Sequence, residues 1–279
     1  MENKKKPYLR KRRPQSMRSA LFEISKKILP TIAGQTVRKA VTPHHLQKVE
    51  TPPHTEELQR LYNQNKNQRC LILGTAPSLR EMDLRNISID YTFLLNRSYL
   101  YTKRPEKAIE SAIIANPHAF AEYGREAFRP SCDKFFLSSA IPLSREESQK
   151  IDAIFFTQWE KPRIYDGFFQ TDLADPLYHG TSVAFTAIQL AYFMGFSEIV
   201  LAGIEFDFKA ADPHMYTSSD AEIRRAQRTS IKNSSKMVAS LEYCAHFLKA
   251  AGGVRIRSLS PNQNLGFIEY CNTEDLSEH

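Results

Sequence analysis

The sequence predicts an α/β domain with a mostly parallel β-sheet flanked by helices. From Arg69 onward, short apolar runs alternate with helix-like patterns, as expected of strands joined by crossover helices. Hydrophobic residues make up 42% of the 279-residue chain and charged residues 25%, which is typical of a globular protein. The sequence contains no run of about 18 apolar residues, so we expect no membrane-spanning helix.

Charge separates an N-terminal arm from the rest of the chain. Residues 1–50 contain 13 Lys/Arg and 3 Asp/Glu, whereas residues 51–279 contain 25 and 28. We therefore predict a basic arm and linker over residues 1–56 and a single domain over residues 57–279. The positive charge belongs to the arm, so we expect no nucleic-acid partner for the domain.

The arm allows two interpretations. Residues 1–16 have little to bury and are predicted to be disordered, and residues 17–29 place apolar side chains on one side of a short helix. One interpretation is that residues 1–40 bind an anionic membrane surface. The other is a solvated tail, or a helix that packs on the domain.

Cysteine usage indicates the compartment. The four cysteines lie far apart and form no CxxC pair, as expected of free thiols in a reducing environment. The N-terminus also lacks the continuous apolar segment of a secretory signal. We therefore expect a cytoplasmic protein, peripheral on the inner face of the membrane if the arm binds there, and the oligomeric state is left open.

Local patterns predict the individual elements. Candidate helices cover 55–63, 79–84, 181–194 and 232–251, and the two long ones are followed by glycines that can end a helix. Residues 205–230 are polar and are predicted to form an active-site loop or lid. The candidate strands are 70–74, 91–96, 111–116, 134–138, 153–157, 198–204 and 254–259.

The turn after the first strand is a candidate ligand site. Gly74 begins a run of turn-forming residues, and Ser78 is a candidate N-cap for the helix that follows. Backbone N–H groups at such a turn can bind an anion or a nucleotide. Gly74 is the only glycine of the turn, so the turn is neither a Walker loop nor GxGxxG. The alternative is a plain connection between a strand and a helix.

Polar residues follow several candidate strands. Asn96 and Asn116 end the second and third strands, and Asn262 follows the last. Ligands of open parallel sheets bind at the carboxyl ends of the strands, and Asn side chains both donate and accept hydrogen bonds, which suits a nucleobase or ribose. Each Asn alone is equally compatible with a turn or a helix cap. Glu205 and Asp207 follow strand 198–204 and join the candidate donor-binding residues.

Several motifs follow each other in a fixed order, beginning with GTAPSL and then LLN and ANP at two strand ends. They resemble the GxGPSL start and the following strand ends of the family of bacterial CMP-sialic-acid-dependent sialyltransferases. The stretch GTSVAFTAIQLAYFMGFSEIVLAGIEF resembles its Thr-Ser helix and next strand, and SLSPNQNLGFIEY its closing segment. The match covers about residues 69–270. The GxGPSL strand is also shared with 6-hydroxymethylpterin diphosphokinase-like enzymes.

The resemblance implies a Rossmann-like transferase domain with a small lid. Such an enzyme moves an acidic sugar from a CMP-activated donor to a glycan hydroxyl with inversion, and needs no cofactor because the CMP-sugar is the donor substrate. The matching positions are Gly74, Thr75, Pro77 and Ser78 along the donor, Asn96 and Asn116 at the cytidine, ribose or carboxylate, Thr181 and Ser182 at the nucleotide or carboxylate, and Pro261 and Asn262 at the cytidine.

The chain departs from the family pattern at two positions. Thr75 stands where the family usually has Asn, and it reaches less far. More seriously, Asn233-Ser234-Ser235-Lys236 stands where the family has its general-base His before a Ser-Lys pair. The base must therefore come from another residue, or the activity differs.

The sequence offers three histidines as that base. His214 lies in the polar lid segment and is the preferred candidate, ahead of His179 and His118, because imidazole titrates near neutral pH. Tyr216 is the second catalytic candidate, as a donor to the leaving phosphate, which the resemblance implies for a lid tyrosine. Arg224, Arg225 and Arg228 could neutralise phosphate or an anionic acceptor, or simply form a solvated face.

The sequence predicts no metal site for this reaction. Departure of CMP does not require a bridging metal, and no CxxC or HExxH motif indicates zinc. Two alternatives stay open. A diphosphokinase would use ATP and Mg²⁺, with Glu205 and Asp207 as metal ligands, and the missing family His is compatible with a non-catalytic nucleotide-binding scaffold at the membrane.

Overall fold

An eight-stranded parallel sheet organises the chain, in the order β5-β4-β3-β2-β1-β6-β7-β8. The computed structural model describes residues 55–124, 126, 132–143, 151–158, 169–208, 212–260 and 263–277. The strands are β1 (Arg69–Leu73), β2 (Tyr91–Leu95), β3 (Ile109–Ile114), β4 (Lys134–Ser138), β5 (Ala153–Phe156), β6 (Glu198–Ala202), β7 (Arg255–Ser258) and β8 (Glu269–Tyr270).

This sheet confirms the predicted fold class and all the candidate strands. β8 was not predicted, because its two residues, Glu269 and Tyr270, are exposed and form no apolar run. Strands β1 to β5 extend the sheet in one direction, and the chain then returns to place β6 on the other side of β1. The carboxyl ends of β1 and β6 therefore form a topological switch point, where open α/β sheets usually bind ligands.

Besides the single turn Pro117–Ala119, four α-helices lie in the described residues: α1 (Thr55–Arg60), α2 (Val183–Met194), α3 (Asp220–Arg225) and α4 (Ile231–Ala251). Helix α2 is buried along almost its whole length and packs on β1, β2 and β3. Its first N–H groups are capped by Ser182, which accepts from the backbone of Ala184 at 3.2 Å, and it ends at Gly195 in a left-handed conformation.

The predicted helix over 79–84 and its predicted Ser78 N-cap are wrong. The helix over 79–84 is a 3₁₀-helix at Pro77–Glu81, with Ala76 rather than Ser78 at the N-cap position and no side-chain cap. The Ser78 hydroxyl instead donates to the Glu205 carboxylate, a partner that local pattern cannot show. The segment 205–230 is not loop throughout, because α3 begins at a capping box and continues through a π turn into α4.

The core fills both faces of the sheet. On one face, leucines of β1 and β2 pack with Leu79 and Leu84. On the other face, Phe93 of β2 stands edge-on to Phe196, with ring centroids 6.0 Å apart. Cys70, Cys244 and Cys271 are buried free thiols, and Cys132 is a partly exposed one. No helix in the described part of the chain is long and apolar enough to cross a membrane.

Several predictions concern residues beyond the described ranges. The basic arm, its amphipathic segment 17–29 and most of the linker before the domain fall there, and so do Pro261 and Asn262. The division into arm and domain stays a prediction.

Candidate functional site

A cavity of about 520 Å³ opens at the carboxyl ends of β1, β2, β3 and β6. Its walls also include the start of α2 and one side of the α3–α4 region. The sequence-predicted residues that line it are Gly74, Thr75, Asn96, Asn116, Thr181, Ser182, Glu205, Asp207, His214 and Tyr216. Pro77 and Ser78 do not line it, and Ser78 reaches the cavity only through its hydrogen bond to Glu205.

The floor of the cavity depends on close backbone contact between β1 and β6. The Gly74 N–H donates to Ala202 O at 2.8 Å, and the Ala76 N–H donates to Gly203 O at 3.0 Å. A Cβ on Gly74 would lie 2.1 Å from Gly203 O, which is far inside van der Waals contact. The single glycine of the predicted turn is therefore required for strand packing as well as for access to a ligand.

Glu205 is fixed behind this floor by two serines. Its Oε1 accepts the hydroxyl of Ser260 at 2.7 Å and also the hydroxyl of Ser78. The two hydroxyls lie 3.4 Å apart, so one carboxylate oxygen joins the ends of β6 and β7 to the first turn. The carboxylate is held in place before any ligand arrives.

Three lining residues other than glycine have left-handed backbone: Asn96 at φ 54°, Thr181 at φ 60° and Phe206 at φ 54°. Asn tolerates this conformation, but a β-branched or bulky residue adopts it only under strain. Strained residues of this kind cluster at ligand sites, where the surrounding structure maintains them. Thr181 and Phe206 therefore support the candidate site independently of any motif.

Asn116 caps a helical turn, which is one of its two expected roles. Its Oδ1 accepts the N–H of His118 at 2.8 Å and caps a single helical turn, Pro117–Ala119. The amide group keeps its two N–H donors for a ligand. His118 itself does not line the cavity.

His214 lies against the first turn. Its Nδ1 is 3.1 Å from the hydroxyl oxygen of Thr75, and its ring stacks on Tyr216, with centroids 5.1 Å apart. The adjacent Met215 N–H donates to Thr75 O at 2.7 Å, and Arg80 donates to His214 O at 2.6 Å. Several bonds thus hold this part of the lid segment on the β1 turn.

Tyr216 belongs to a network that the sequence did not predict. Its hydroxyl donates to Glu222 Oε1 at 3.1 Å, and the guanidinium of Arg97 lies 4.8 Å from the centre of its ring. Arg97 also pairs with Glu222 at 3.3 Å, and its buried Nε has no hydrogen-bond partner among the described residues. The network joins the end of β2 to α3.

The network sets the protonation of its members. Burial lowers the pKa of His214 below its ordinary value of 6.5, although the charges of Glu222 and Asp212 oppose this shift. Burial and the charge of Glu222 raise the pKa of Tyr216. Burial would raise the pKa of Glu222, but hydrogen bonds from Ser219 and Tyr216 outweigh it and lower that pKa. At neutral pH, His214 is therefore neutral, Tyr216 protonated and Glu222 ionised.

His179 is the other histidine that lines the cavity. Its Nδ1 is buried and has no hydrogen-bond partner in the described part of the chain, and burial lowers its pKa. It precedes the Gly180–Ser182 turn into α2. His179 therefore lines the cavity, but its unpaired Nδ1 is not exposed there.

The α3–α4 wall includes the positions where the sequence departs from the family pattern. Asn233 and Lys236 line the cavity together with Arg225, which pairs with Glu122. A π turn, Ala226–Ser230, joins the two helices, and such turns are frequent at functional sites.

Two important residues of the site, Arg97 and Glu222, were missed at the sequence level. The Ser219-x-x-Glu222 spacing is a readable capping-box signature, and the structure shows the box complete. No local sequence pattern identifies Arg97 as a residue of the site. In the described residues, no group of three or more His, Cys, Asp or Glu could hold a metal ion.

Solved structures similar to this one include two enzymes of Campylobacter jejuni. The monofunctional α-2,3-sialyltransferase Cst-I is 17% identical, with a TM-score of 0.46, over 76% of this chain and 82% of that chain. The sialyltransferase CstII, in complex with CMP-3FNeuAc, is 19% identical, with a TM-score of 0.42, over 76% and 88%. No protein-family model and no curated protein sequence matches the chain. Both structures are sialyltransferases, the class of enzyme whose motifs the sequence resembles.

Proposed function

We propose that the protein is a metal-independent, inverting glycosyltransferase that moves an acidic sugar, of the sialic acid or Kdo type, from a CMP-activated donor to a glycan hydroxyl. One observation carries the proposal. Motif residues separated by more than 100 positions in the sequence, from Gly74-Thr75 through Asn96 and Asn116 to Thr181-Ser182, line a single cavity.

The cavity suits the proposed donor. Its volume of about 520 Å³ is within the range of small-molecule sites. The start of α2, at Thr181 and Ser182, offers N–H groups and a positive helix end to a carboxylate or phosphate. Asn96 and Asn116 offer amides to the cytidine, ribose or sugar carboxylate.

His214 is the proposed general base. In the tautomer whose Nδ1–H donates to Thr75, Nε2 holds the lone pair that accepts a proton. The acceptor hydroxyl loses its proton to Nε2 as its oxygen bonds the anomeric carbon, and the bond from that carbon to the CMP phosphate oxygen breaks with its electron pair on CMP. The lowered pKa of His214 keeps the base ready at neutral pH.

Tyr216 is the proposed donor to the leaving phosphate. Its phenol is protonated at neutral pH and donates to Glu222 in this structure. The proposed role requires the phenol to exchange that acceptor for a phosphate oxygen as charge develops there. The cation of Arg97, stacked on the same ring, adds positive potential.

A thermal-shift screen with CMP, CDP, UDP and ATP tests the binding proposal. Selective stabilisation by CMP supports it, and stabilisation only by ATP with Mg²⁺ refutes it. Mg²⁺-dependent ATP consumption with a pterin would identify the diphosphokinase, and CMP binding without hydrolysis or transfer would identify a scaffold.

A His214→Ala variant tests the mechanism. Loss of a general base should lower turnover of CMP-sialic acid or CMP-Kdo by about 10²- to 10⁴-fold. His246→Ala is the matched control, because His246 is an exposed histidine on α4. Unchanged turnover in His214→Ala would reject His214 as the base, and the same test on His179→Ala would examine the second candidate.

The proposed acceptor is a surface polysaccharide or lipo-oligosaccharide, reached from the inner face of the cytoplasmic membrane by the basic arm. Deleting residues 1–40 should leave donor turnover intact and lower binding to vesicles that contain anionic lipid, since each basic residue near such a surface contributes about 1 kcal/mol. Unchanged vesicle binding would remove the membrane part of the proposal.

A further inference from the structure

A row of positive side chains runs along α4 and its preceding π turn to the cavity. Arg228, Lys232 and Lys236 follow each other at intervals of four residues, so they lie on neighbouring turns of one helical side. Arg228 and Lys232 are exposed, and Lys236 lines the cavity. The eight residue-to-residue steps from Arg228 to Lys236 span about 12 Å of helix. We call Arg228, Lys232 and Lys236 the basic row.

The composition of this stretch is not that of an ordinary solvated helix. Residues 223–241 contain five Lys/Arg and no Asp or Glu. Exposed helices usually alternate charge, because opposite charges four residues apart stabilise the helix and like charges destabilise it. In the basic row, both four-residue pairs are like-charged. None of the three forms an ion pair with any residue that the structure describes. The helix therefore tolerates a repulsion that a bound anion would relieve.

The placement of the row indicates which anion it meets. The proposed donor elements are the strand ends and the start of α2, whereas Ser230, Asn233 and Lys236 line the cavity from the π turn and α4. Asn233 and Ser230 add hydrogen-bonding groups beside Lys236. Lys232 and Arg228 do not line the cavity but are exposed one and two turns from Lys236 along the same helix, where a ligand that extends past Lys236 would meet them. A flat membrane surface could contact the exposed pair but would not reach Lys236 inside the cavity.

We propose that the basic row binds a negatively charged acceptor glycan, whose carboxylate or phosphate groups lie on the sugars next to the acceptor hydroxyl. This inference rests on the proposed function and adds the acceptor's chemical class. Lys236 would contact the charged sugar nearest the donor, and Lys232 and Arg228 the groups further out.

The test is a glycan array of matched neutral, carboxylated and phosphorylated oligosaccharides, probed with the labelled full-length protein. We expect preferential binding of the anionic glycans, weakened as salt rises from about 50 to 500 mM. The combined Arg228→Gln, Lys232→Gln and Lys236→Gln variant should lose about tenfold in that binding, because each exposed charge contact contributes a factor of a few.

A matched control separates this site from overall charge. Lys66→Gln, Lys103→Gln and Lys249→Gln together remove the same charge from exposed positions outside the cavity, and should leave glycan binding unchanged. Equal binding of neutral and anionic glycans, no glycan binding at all, or an equal loss in both triple variants would overturn the inference.

Two further measurements identify other uses of the row. Loss of the CMP thermal shift in the basic-row variant would assign the row to the donor, and loss of anionic-vesicle binding with glycan binding retained would assign it to a membrane; either overturns the inference. The array needs no donor, so failure of the intact protein to bind CMP would refute the proposed function separately.

Discussion

Replacing Gly74 with Ala should destabilise the domain and close its ligand site. The added Cβ would lie 2.1 Å from Gly203 O and 2.8 Å from the Ile204 side chain. Neither the carbonyl nor the β1 backbone is free to turn aside, because the carbonyl accepts the Ala76 N–H. Relief therefore requires the carboxyl ends of β1 and β6 to separate by about 1 Å, since ordinary contact begins well beyond 3 Å.

The magnitude follows from what this separation disrupts. The Gly74 N–H to Ala202 O bond of 2.8 Å and the Ala76 N–H to Gly203 O bond of 3.0 Å would both weaken, at about 1 kcal/mol each. Overpacking adds about 1–3 kcal/mol. The free energy of unfolding should fall by about 3–5 kcal/mol, a large part of the stability of a typical domain.

Urea denaturation of the wild type and two variants measures the effect. Gly252→Ala is the control: Gly252 has φ +72°, and no heavy atom of the described residues lies within 4 Å of its added Cβ. It should lose about 1–3 kcal/mol from backbone strain alone, because φ 72° with ψ 165° is a conformation that essentially only glycine adopts. If Gly74→Ala costs no more than Gly252→Ala, or keeps a full CMP thermal shift, the close-packing explanation is wrong.

Three further predictions concern strain, pH and buried charge. Thr181→Gly should not lower the melting temperature, because relief of about 1–2 kcal/mol of backbone strain at φ 60° offsets the entropy cost of glycine. The same variant should show a weaker thermal shift with CMP. A clear fall in melting temperature would contradict the prediction. Burial lowers the pKa of His179, so as pH falls through 6.5 the unfolded state takes up a proton before the folded state does, and the free energy of unfolding decreases. His179→Gln should make this decrease smaller between about pH 7.5 and 5.5. An unchanged decrease in the variant would refute the prediction. Glu198→Gln should lower the free energy of unfolding, measured by urea denaturation, by about 3–5 kcal/mol, because Arg69 and the buried Arg257 lose the carboxylate they share. A decrease below about 1 kcal/mol would refute this explanation.

Strand prediction succeeded where the sequence contains a sufficient local signal. Each of the strands β1 to β7 contains apolar residues bounded by polar or turn-forming ones, and burial selects such runs for the middle of a parallel sheet. β8 pairs only Glu269 and Tyr270 with β7, and two exposed residues give no periodicity. The Ser78 cap failed for a similar reason, since its partner Glu205 is 127 residues away.

The residues proposed as catalytic show the same division. His214 and Tyr216 could be predicted from the sequence because their side chains can exchange protons and both lie in a polar segment. Their partners, Thr75 and Arg97, come from turns after β1 and β2, far away in the sequence. The Glu222 capping box was readable at its local spacing, but its bonds to Tyr216 and Arg97 were not.

The sequence alone determined the parallel α/β fold and the polar residues at the strand ends, because burial and turn chemistry act over a few neighbouring residues. In a parallel sheet every strand end faces the same edge, so these residues could be expected to meet. Only the tertiary structure decided that β6 lies beside β1, that His214 lies on Thr75, and that the α3–α4 wall brings Lys236 to the cavity. Those contacts depend on strand order and helix packing, which join residues more than 100 positions apart and leave no local pattern.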